Sequence, residues 1–507
     1  MPPRNLNIII ITVCISMLSY FTHRRTKTAM VVGDALNLID QFYVDPISDR
    51  ELLTAALDGM TNTLDEHSEF IPREEYESFQ DNINQEFAGI GIYVDQAEPG
   101  TPVRVVTPLV GSPALQAGML PDDLIIRVSG EDVSTMELSE VSKRLKGQIG
   151  TSVDLVLTRG DEEVAMSVQR ARIKLESVIG DFRDEQNRWV YRLKDDPKIA
   201  YVRLTSFGEK TVKELRKVLQ DLNSDFNGLV LDLRGNGGGL LHAAVDVSDM
   251  FLNSGRIVST KTRGGVLEDS FDASEGTVVA SSKPIAVLMD GNSASASEIV
   301  AACLQDHKRG FVVGSRSYGK GTVQNVLPLE YGRSALRLTV ARYYRPNGKN
   351  IHRKQDATEE DEWGVIPSEG MAVTLEEEHL VALSKRWREA SYPSLIGRTP
   401  RSQQDVDEEP DSETQSEPES ESQESDDQQS EQTETGSAKS EAETSDAVDS
   451  EADDNEAVGS AEPEVTTSSD PKTSTIESSF LIDPQLRRAV EKIREEIEAR
   501  KPITTAA

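Results

Sequence analysis

Two residues in the stretch from 284 to 324 are spaced as a nucleophile and its base would be. The apolar run from Pro284 to Met289 predicts a buried strand, and the polar turn after it leads into a small-residue helix that begins near Ser295. A hydroxyl at such a strand-to-helix turn can act as a nucleophile. Lys320 follows between two glycines, ahead of a second β-rich run. We therefore interpret Ser295 as a nucleophile and Lys320 as its general base.

A lysine base is favoured because the histidines offer no evident partner. Of six histidines only His242 and His307 fall near the predicted site, and no G-x-S-x-G motif indicates a hydrolase triad. A Ser-Lys dyad is the known arrangement without histidine. Lowering the lysine pKa from about 10.4 to roughly 7.5 takes about 4 kcal/mol, which burial can supply. Gln324, on the same predicted strand face, would hold the amine of Lys320 toward the serine. An exposed turn lysine is the alternative for Lys320.

Ser295 also has a purely structural interpretation. Ser295-Ala296-Ser297-Glu298 matches S-x-x-E, a capping box in which serine and glutamate would each bond to the other's backbone. At the same helix N-terminus, the N–H of Ala296 and the helix dipole would stabilise a developing oxyanion. The glycine loop near Gly238 would supply a second donor. That loop matches neither common nucleotide-binding pattern, and a plain tight turn is its alternative.

Composition separates a body from an acidic segment. Of 507 residues, positions 401–470 hold 25 of the 88 acidic residues and two of the 54 basic ones. The rest of the chain carries a formal charge of −11, which argues against a nucleic-acid-binding body. Residues 396–478 have almost no large apolar side chains, which predicts a disordered linker; binding of cations or basic partners is the alternative. Residues 479–501 predict a C-terminal helix.

Residues 1–27 predict a signal anchor. The apolar run from Ile8 to Phe21 also fits the apolar part of a signal peptide, but no A-x-A cleavage site follows it, which favours an uncleaved transmembrane anchor. Its terminal position and its basic flanks disfavour the alternative of a buried core helix. More positive charge follows the run than precedes it, so the positive-inside rule alone would keep the body in the cytoplasm. Cys14 lies in this run and Cys303 in the helix after Ser295, so no disulfide is expected.

Two further regions precede the one that holds Ser295. Residues 28–84 show helical spacing and predict a helical N-terminal region. Residues 85–173 carry five strand-like runs and two helical patterns in an order that resembles a PDZ domain. The resemblance implies that N–H groups of the loop before the first strand hold the terminal carboxylate of a peptide, which adds as a strand beside the longer helix. The loop residues are Gly89, Ile90, Gly91 and Ile92. Taken alone, this loop is also compatible with a glycine-rich start of a strand.

Residues 174–395 change to an α/β pattern. Four motifs appear in order, with the PDZ-like unit ahead of them: YVRLTSF, LDLRGNGGGLL, SASASEIVAACLQD and YGKGTVQ. Together they resemble the C-terminal processing peptidases, or tail-specific proteases, over about residues 30–370. The chain departs from the family pattern at Gly237, where many members carry proline. IDPQLRRAVEKI resembles the family's closing helix, but the acidic linker separates it from the core.

This resemblance implies a fold and a site. The fold is a crotonase-like α/β protease core with an inserted PDZ domain, α+β overall. Ser295 would be the nucleophile, Lys320 the base and Gln324 its orienting partner. The oxyanion amides would come from Ala296 and from Gly238 or Gly239. No metal or cofactor is expected.

The same resemblance implies an activity and a location. We expect a serine endopeptidase that cleaves exported proteins at or near apolar C-terminal tails, with the PDZ domain recognising the tail. Its body would lie outside the cytoplasm, in the periplasm or cell envelope, held by the N-terminal membrane anchor. Nucleic acid is not an expected partner, and an oligomer stays open. A non-catalytic, membrane-anchored PDZ scaffold that binds protein C-termini is the alternative.

Overall fold

The computed structural model describes residues 12–13, 16–17, 29–223, 225–392 and 479–500. Most of the apolar run from Ile8 to Phe21 lies outside these ranges, as does the whole predicted linker, 396–478. Among the helices that are described, none combines the length and the apolarity needed to cross a bilayer.

The N-terminal region is helical, as predicted, and is joined to the body by a short strand. Its elements are α1 (residues 29–42), α2 (Asp49–Thr61), β1 (Glu69–Ile71) and α3 (Arg73–Asn84). Helix α2 begins at Ser48 with a complete capping box, in which the Ser48 side chain accepts the N–H of Glu51 and the Glu51 carboxylate accepts the N–H of Ser48. Strand β1 pairs antiparallel with a long strand of the body, Ser334–Tyr344.

A six-stranded antiparallel sheet with two helices follows. The elements are β2 (Glu86–Gly89), β3 (Ile92–Asp95), β4 (Val103–Pro108), α4 (Pro113–Gln116), β5 (Leu124–Val128), β6 (Glu131–Asp132), α5 (Leu138–Leu145), β7 (Ser152–Arg159), β8 (Glu162–Gln169) and β9 (Ala171–Lys174). The strand order is β3-β4-β5-β7-β8 with β6 on β5, and Val105, Ile125 and Leu157 lie in its core. Among the described strands β3 pairs only with β4, so it forms an edge of the sheet. A separate pair, β2 and β9, brings the two ends of the unit together.

The body is organised around a mostly parallel sheet. Its elements are β10 (Val178–Ile179), β11 (Phe182–Arg183), β12 (Trp189–Val190), β13 (Ile199–Leu204), α6 (Thr211–Asp221), β14 (Gly228–Asp232), α7 (Leu241–Asp249), β15 (Arg256–Lys261), β16 (Leu267–Asp272), β17 (Ile285–Met289), α8 (Ala296–Asp306), β18 (Phe311–Gly314), β19 (Thr322–Leu329), β20 (Ser334–Tyr344), α9 (Glu377–Ser391), α10 (Ser479–Ile482) and α11 (Pro484–Ala499). The sheet order is β10-β13-β14-β17-β18, with β10 antiparallel to β13. Strands β14 and β17 are buried at every position, which explains their unbroken apolar runs. A second, antiparallel sheet has the order β1-β20-β15-β16, with β19 on β20.

Helices cover both faces of the parallel sheet. Leu231 and Val287 lie in one core with side chains of α6, α7 and α8, whereas their neighbours Val230 and Leu288 lie in a second core. Successive side chains of a strand point to opposite faces, so these two cores flank the sheet. The second core is completed by side chains of α11: Leu486, Ala489, Val490 and Ile493. The C-terminal helix therefore packs on the body, although the linker separates the two in sequence.

A buried ion cluster fixes the start of α11. The Arg234 guanidinium donates to Asp232 at 3.0 and 2.6 Å and to Asp483 at 2.9 and 2.8 Å, and all three side chains are fully buried. Burial lowers the pKa of Arg234, but the two carboxylates outweigh it and raise that pKa well above its usual value. Loss of one partner would leave an unpaired buried charge. The docked helix and the strand end at Arg234 therefore stabilise each other.

Helix α9 contacts both the body and the PDZ-like unit. Tyr392, just after its last residue, meets Tyr93 of β3 edge to face, with 5.3 Å between ring centroids. Arg386 forms an ion pair with Asp181 of the body. Helix α9 thus links the edge strand β3 of the PDZ-like unit to Asp181, which follows β10 of the parallel sheet.

Candidate active site

Ser295 stands at the N-terminus of α8 with an unusual backbone. Its φ is 55° and its ψ −113°, whereas Ser48 and Ser112 cap their helices from extended conformations with φ of −76° and −72°. Positive φ at a non-glycine residue costs about 1–3 kcal/mol and persists only where the surroundings impose it. The Ser295 side chain is buried, and the hydroxyl of Tyr343 is hydrogen-bonded to it. An ordinary cap does not need this sharp turn, whereas a nucleophile held at a strand-to-helix turn does.

The Glu298 carboxylate joins the serine turn to the lysine loop. One oxygen, Oε2, accepts the N–H of Ser295 at 2.7 Å and the N–H of Lys320 at 2.9 Å. These two nitrogens are therefore no more than about 5.6 Å apart. The other oxygen, Oε1, accepts the N–H of Gly319 at 2.8 Å and the hydroxyl of Ser317 at 2.5 Å. The S-x-x-E pattern predicted only the contact of Glu298 with Ser295. The structure adds its contacts with Ser317, Gly319 and Lys320.

Glu298 is expected to make activity depend on pH. Burial raises the pKa of this carboxyl to about 7, opposed by the Ser317 hydroxyl and three backbone N–H groups. As pH falls through about 7, the carboxyl gains a proton and can no longer accept all four donors. We expect kcat/KM to fall on this acid side. Glu298→Gln should lower kcat/KM about 10- to 100-fold and abolish the limb near pH 7, as measured by peptide cleavage from pH 5 to 9. An acid side of the Glu298→Gln profile identical to that of the wild type would contradict this assignment.

The glycine loop after β14 closes against the Ser295 turn. At Gly238, where φ is 101°, an added Cβ would lie 2.8 Å from the Cβ of Ser295 and 2.9 Å from the N of Ala296. Any side chain there would push the loop away from the nucleophile. The structure therefore brings together three of the predicted residues: Gly238, Ser295 and Ala296.

The backbone N–H groups near Ser295 differ in whether they already donate a hydrogen bond. The N–H of Gly238 donates to Oδ1 of Asn236 at 2.9 Å. Within the described part of the chain, the N–H groups of Gly239 and Ala296 have no acceptor. Asn236 also anchors the loop, because its backbone oxygen accepts the N–H of Ala294 at 3.0 Å. Of the two glycine candidates, Gly239 is thus the one with an available donor.

Lys320 lies beside the serine turn through its backbone, but its side chain has other neighbours. Burial lowers the pKa of this half-buried amine, and Arg337 lowers it further. Three carboxylates oppose the shift without reversing it: Asp65, Glu66 and Glu69. Among the described residues, no hydrogen bond joins the Lys320 and Ser295 side chains. The dyad therefore requires the lysine side chain to turn from this acidic neighbourhood toward the serine.

Gln324 does not hold Lys320 in this structure. Lys320 precedes β19, which begins at Thr322, and a register shift falls between Val323 and Gln324, so the expected shared strand face is interrupted. The Gln324 amide instead donates to the hydroxyls of Thr322 at 2.9 Å and Thr339 at 3.2 Å. Its role as an orienting partner stays a prediction.

The four predicted peptide-binding residues lie at the end of β2 and the start of β3. Gly91 has a φ of 78°, and an added Cβ would lie 2.5 Å from the Cβ of Ser112, so the turn requires glycine. The carbonyls of Ile90 and Gly91 are engaged, accepting the N–H groups of Ala114 and Leu109 at 3.0 Å each. This loop leads directly into the edge strand β3.

One group of described side chains could hold a metal ion, at the start of α9. It comprises Glu376, Glu378 and His379. Both glutamates are exposed, as acidic residues at a helix start commonly are. None of the three belongs to the Ser295 site, so no metal chemistry is assigned to it.

Sequence reasoning missed two members of the site. Tyr343 comes from β20 and is buried, and its N–H donates to the oxygen of Gly321 at 2.9 Å. Asn236 lies inside a glycine-rich motif, where the sequence draws attention to the glycines instead. No local signal identifies either residue, because each acts through contacts with residues distant in the sequence.

Comparisons with known proteins agree with the four motifs. Residues 198–367 match the model of peptidase family S41, and residues 104–159 match a PDZ domain. A carboxy-terminal-processing protease of Bartonella bacilliformis is 39% identical over 327 residues, 63% of this chain and 71% of that protein. A carboxyl-terminal-processing protease of Synechocystis sp. is 32% identical over 320 residues, 62% of this chain and 72% of that protein. Among solved structures, the photosystem II D1 C-terminal processing protease is 27% identical, with a TM-score of 0.39 over 69% of this chain and 93% of that chain. The two family-model matches and the curated relatives confirm the predicted α/β body with a PDZ domain.

Proposed function

Because this chain belongs to peptidase family S41 and is a serine-type peptidase, we propose that it cleaves exported proteins at or near apolar C-terminal tails through a Ser295-Lys320 dyad. A non-catalytic scaffold, the alternative open from sequence, is incompatible with a serine-type peptidase. What remains to be assigned is the base, the receptor for the tail and the place of action.

The proposed reaction proceeds through an acyl-enzyme. The hydroxyl oxygen of Ser295 attacks the carbonyl carbon of the scissile peptide, and the neutral amine of Lys320 takes the hydroxyl proton. The N–H groups of Gly239 and Ala296 hold the oxyanion of the tetrahedral intermediate. Lys320 then gives its proton to the leaving amine as the C–N bond breaks. Water hydrolyses the ester by the same steps and restores the free serine.

One observation carries this proposal: the N–H groups of Ser295 and Lys320 meet at the same oxygen of Glu298. This arrangement fixes the two chain segments side by side inside a water-poor site. A lysine that starts so close needs only a change in its flexible side chain to reach the serine hydroxyl. The strained φ of Ser295 supports the same assignment, because strain of this kind concentrates at active sites.

The PDZ domain is the proposed receptor for the tail. Its strand β3 is an edge among the described strands, so an extended peptide can add beside it. Helix α5 would flank that peptide, and the loop containing Gly89, Ile90, Gly91 and Ile92 lies where the terminal carboxylate would be held. Apolar tails fit this proposal because a peptide strand places alternate side chains against the domain.

The proposed location is the outside of the cytoplasmic membrane. The apolar run from Ile8 to Phe21, with no cleavage site after it, supports the anchor. The outward orientation is supported by the family resemblance, because the positive-inside rule alone would keep the body in the cytoplasm. An anchored body would meet exported proteins at the membrane surface. Fractionation of cells, followed by protease treatment of intact spheroplasts, tests this placement directly.

A matched pair of substrates tests the proposed function. The same carrier protein is offered with an apolar C-terminal tail and with a tail ending in aspartates. We expect kcat/KM to be at least about 10-fold higher for the apolar tail, because only that tail gains affinity from both carboxylate and side-chain contacts. Degradation is followed by gel densitometry, with Ser295→Ala as the inactive control. Equal rates for the two tails would contradict the proposed recognition of apolar tails. Cleavage by Ser295→Ala would contradict the proposed Ser-Lys dyad.

A further inference from the structure

Helix α9 places an indole ring behind the glycine loop. The ring centroid of Trp387 lies 3.3 Å from the guanidinium carbon of Arg203 and 5.1 Å from that of Arg234. Both distances are within the roughly 6 Å over which a cation and an aromatic face attract each other. One side chain thus contacts two cations, Arg203 on β13 and Arg234 at the end of β14.

The two arginines are linked to each other and to the start of the loop. Nη2 of Arg203 donates to the backbone oxygen of Arg234 at 3.3 Å. The next residue, Gly235, has its N–H held by both carboxylate oxygens of Asp290, at 3.0 and 3.1 Å. Hydrogen bonds therefore hold both the carbonyl oxygen and the N–H of the peptide unit between Arg234 and Gly235. Trp387 packs on Arg203, which donates the hydrogen bond to the carbonyl oxygen.

From this point the loop is held by a continuous set of hydrogen bonds. The Asn236 amide nitrogen donates to Leu204 at 2.8 Å, and its backbone oxygen accepts the hydroxyl of Ser297 at 2.9 Å. Its Oδ1 accepts the N–H of Gly238. A displacement at Arg234 would therefore reach Gly238, which lies against the Ser295 turn, and with it the next residue, Gly239. The glycines that follow Asn236 have no side chains to resist such a shift.

We propose that Trp387 is a positioning residue for the oxyanion hole, acting through its stack on Arg203 and Arg234. The inference rests on the proposed function, because it needs the Gly239 and Ala296 amides to bind the oxyanion. Trp387 touches no reacting atom. Its loss would misplace one oxyanion donor, and removal of such a donor typically costs 10²- to 10³-fold in kcat.

The test compares Trp387→Ala with Trp387→Phe in the full chain. On a peptide with an apolar C-terminus, we expect Trp387→Ala to lower kcat about 10- to 100-fold and to leave KM within about twofold, because ground-state binding does not use the oxyanion hole. Trp387→Phe should keep at least about a third of the activity. A phenyl ring preserves the stack, and Nε1 of Trp387 makes no hydrogen bond to any described residue.

A second readout separates positioning from a general structural role. A peptide aldehyde forms a tetrahedral adduct with a serine nucleophile, so its affinity reports the oxyanion hole. Trp387→Ala should weaken the aldehyde by about the same factor as kcat while leaving the affinity of an uncleaved peptide unchanged. Ser384→Ala, an exposed position of the same helix, is the matched control and should match the wild type in every measurement.

The outcomes for the Trp387, Arg203 and Ser295 variants either support or contradict the positioning role of Trp387. If Trp387→Ala loses its cooperative thermal transition, Arg203→Lys replaces it as the deciding variant, since it keeps the charge but loses the planar stack. Unchanged kcat in the deciding variant, or a change confined to KM, overturns the inference, as does failure of Trp387→Phe to retain activity. Ser295→Ala is measured alongside. Turnover by Ser295→Ala would contradict the proposed function. If Ser295→Ala is inactive while Trp387→Ala is fully active, only the inference about Trp387 is contradicted.

Discussion

Ser295→Ala is expected to lower kcat by at least about 10⁴-fold while the protein stays folded. The variant removes the only atom proposed to form a bond with the substrate, and removal of a serine nucleophile typically costs about as much as removal of the whole catalytic set. The Glu298 carboxylate would still accept the N–H groups of residue 295 and Lys320, because those contacts are made by backbone. Cleavage of a protein with an apolar tail measures the loss of kcat, and a thermal denaturation curve measures whether the protein stays folded.

The matched control is Ser48→Ala, because Ser48 begins the same S-x-x-E pattern on helix α2. Ser48 has ordinary extended backbone angles, and its side chain accepts the N–H of Glu51 at 3.2 Å. Its loss should cost about 1 kcal/mol of stability, as N-cap substitutions do, with no loss of activity. If Ser295→Ala behaves like Ser48→Ala, with activity retained and a small loss of stability, then Ser295 is only a cap.

The backbone itself separates these two serines, and sequence could not. Both lie in a capping-box pattern, and local pattern is all that a single sequence displays. The positive φ of Ser295 occurs where the glycine loop, from residues almost sixty positions earlier, lies against the turn. Chemistry at this turn was predictable from residue types, but its strain depends on tertiary contacts.

The parts of the fold that were predictable are those with a strong local period. Strand β17 matches the predicted apolar run within one residue, and α8 begins one residue after Ser295. Strand β4, Val103–Pro108, falls within the region where the sequence predicts strand-like runs. A strand buried on both faces shows an unbroken apolar run, and a half-buried helix shows a period near 3.6 residues.

What escaped prediction depends on residues far apart in the chain. Asp483 and Arg234 are 249 positions apart, yet they form the buried pair that seats α11. Asp483-Pro484 predicts a helix start, since Asp caps and Pro suits the first turn, but it does not indicate where that helix docks. The strand face of Gln324 escaped prediction for a related reason: a register shift in β19 changes which face a residue occupies, and no residue type signals it. The orienting role of Gln324 stays a prediction.

Lys320→Ala is expected to lower kcat by about 10³-fold or more, and Lys320→Arg to be no better. A guanidinium stays protonated at any working pH, so it cannot take the serine proton, although it keeps the charge and much of the length. The matched control is Lys349→Ala, an exposed lysine paired with Glu362, which should leave cleavage unchanged. Peptide cleavage measures all three variants, and activity in Lys320→Arg above about 1% of wild type would contradict a lysine base.

The pH profile tests the same base without removing it. Only the neutral amine can accept a proton, and burial followed by Arg337 lowers the Lys320 pKa, so activity should rise with pH through that lowered pKa and be lost below it. Arg337 pairs with Glu69 at 3.1 Å, beside the lysine. Arg337→Gln removes the cation and frees the Glu69 charge, and both changes raise the Lys320 pKa.

The acid limb of kcat/KM should therefore move to higher pH in Arg337→Gln, with the plateau retained. The Glu298→Gln background isolates this limb, because the contribution near pH 7 is then absent. If Arg337→Gln leaves the limb in place, Lys320 is not the group that titrates. A profile that is flat from pH 5 to 9 would exclude a lysine base altogether, since the charged amine cannot start the reaction.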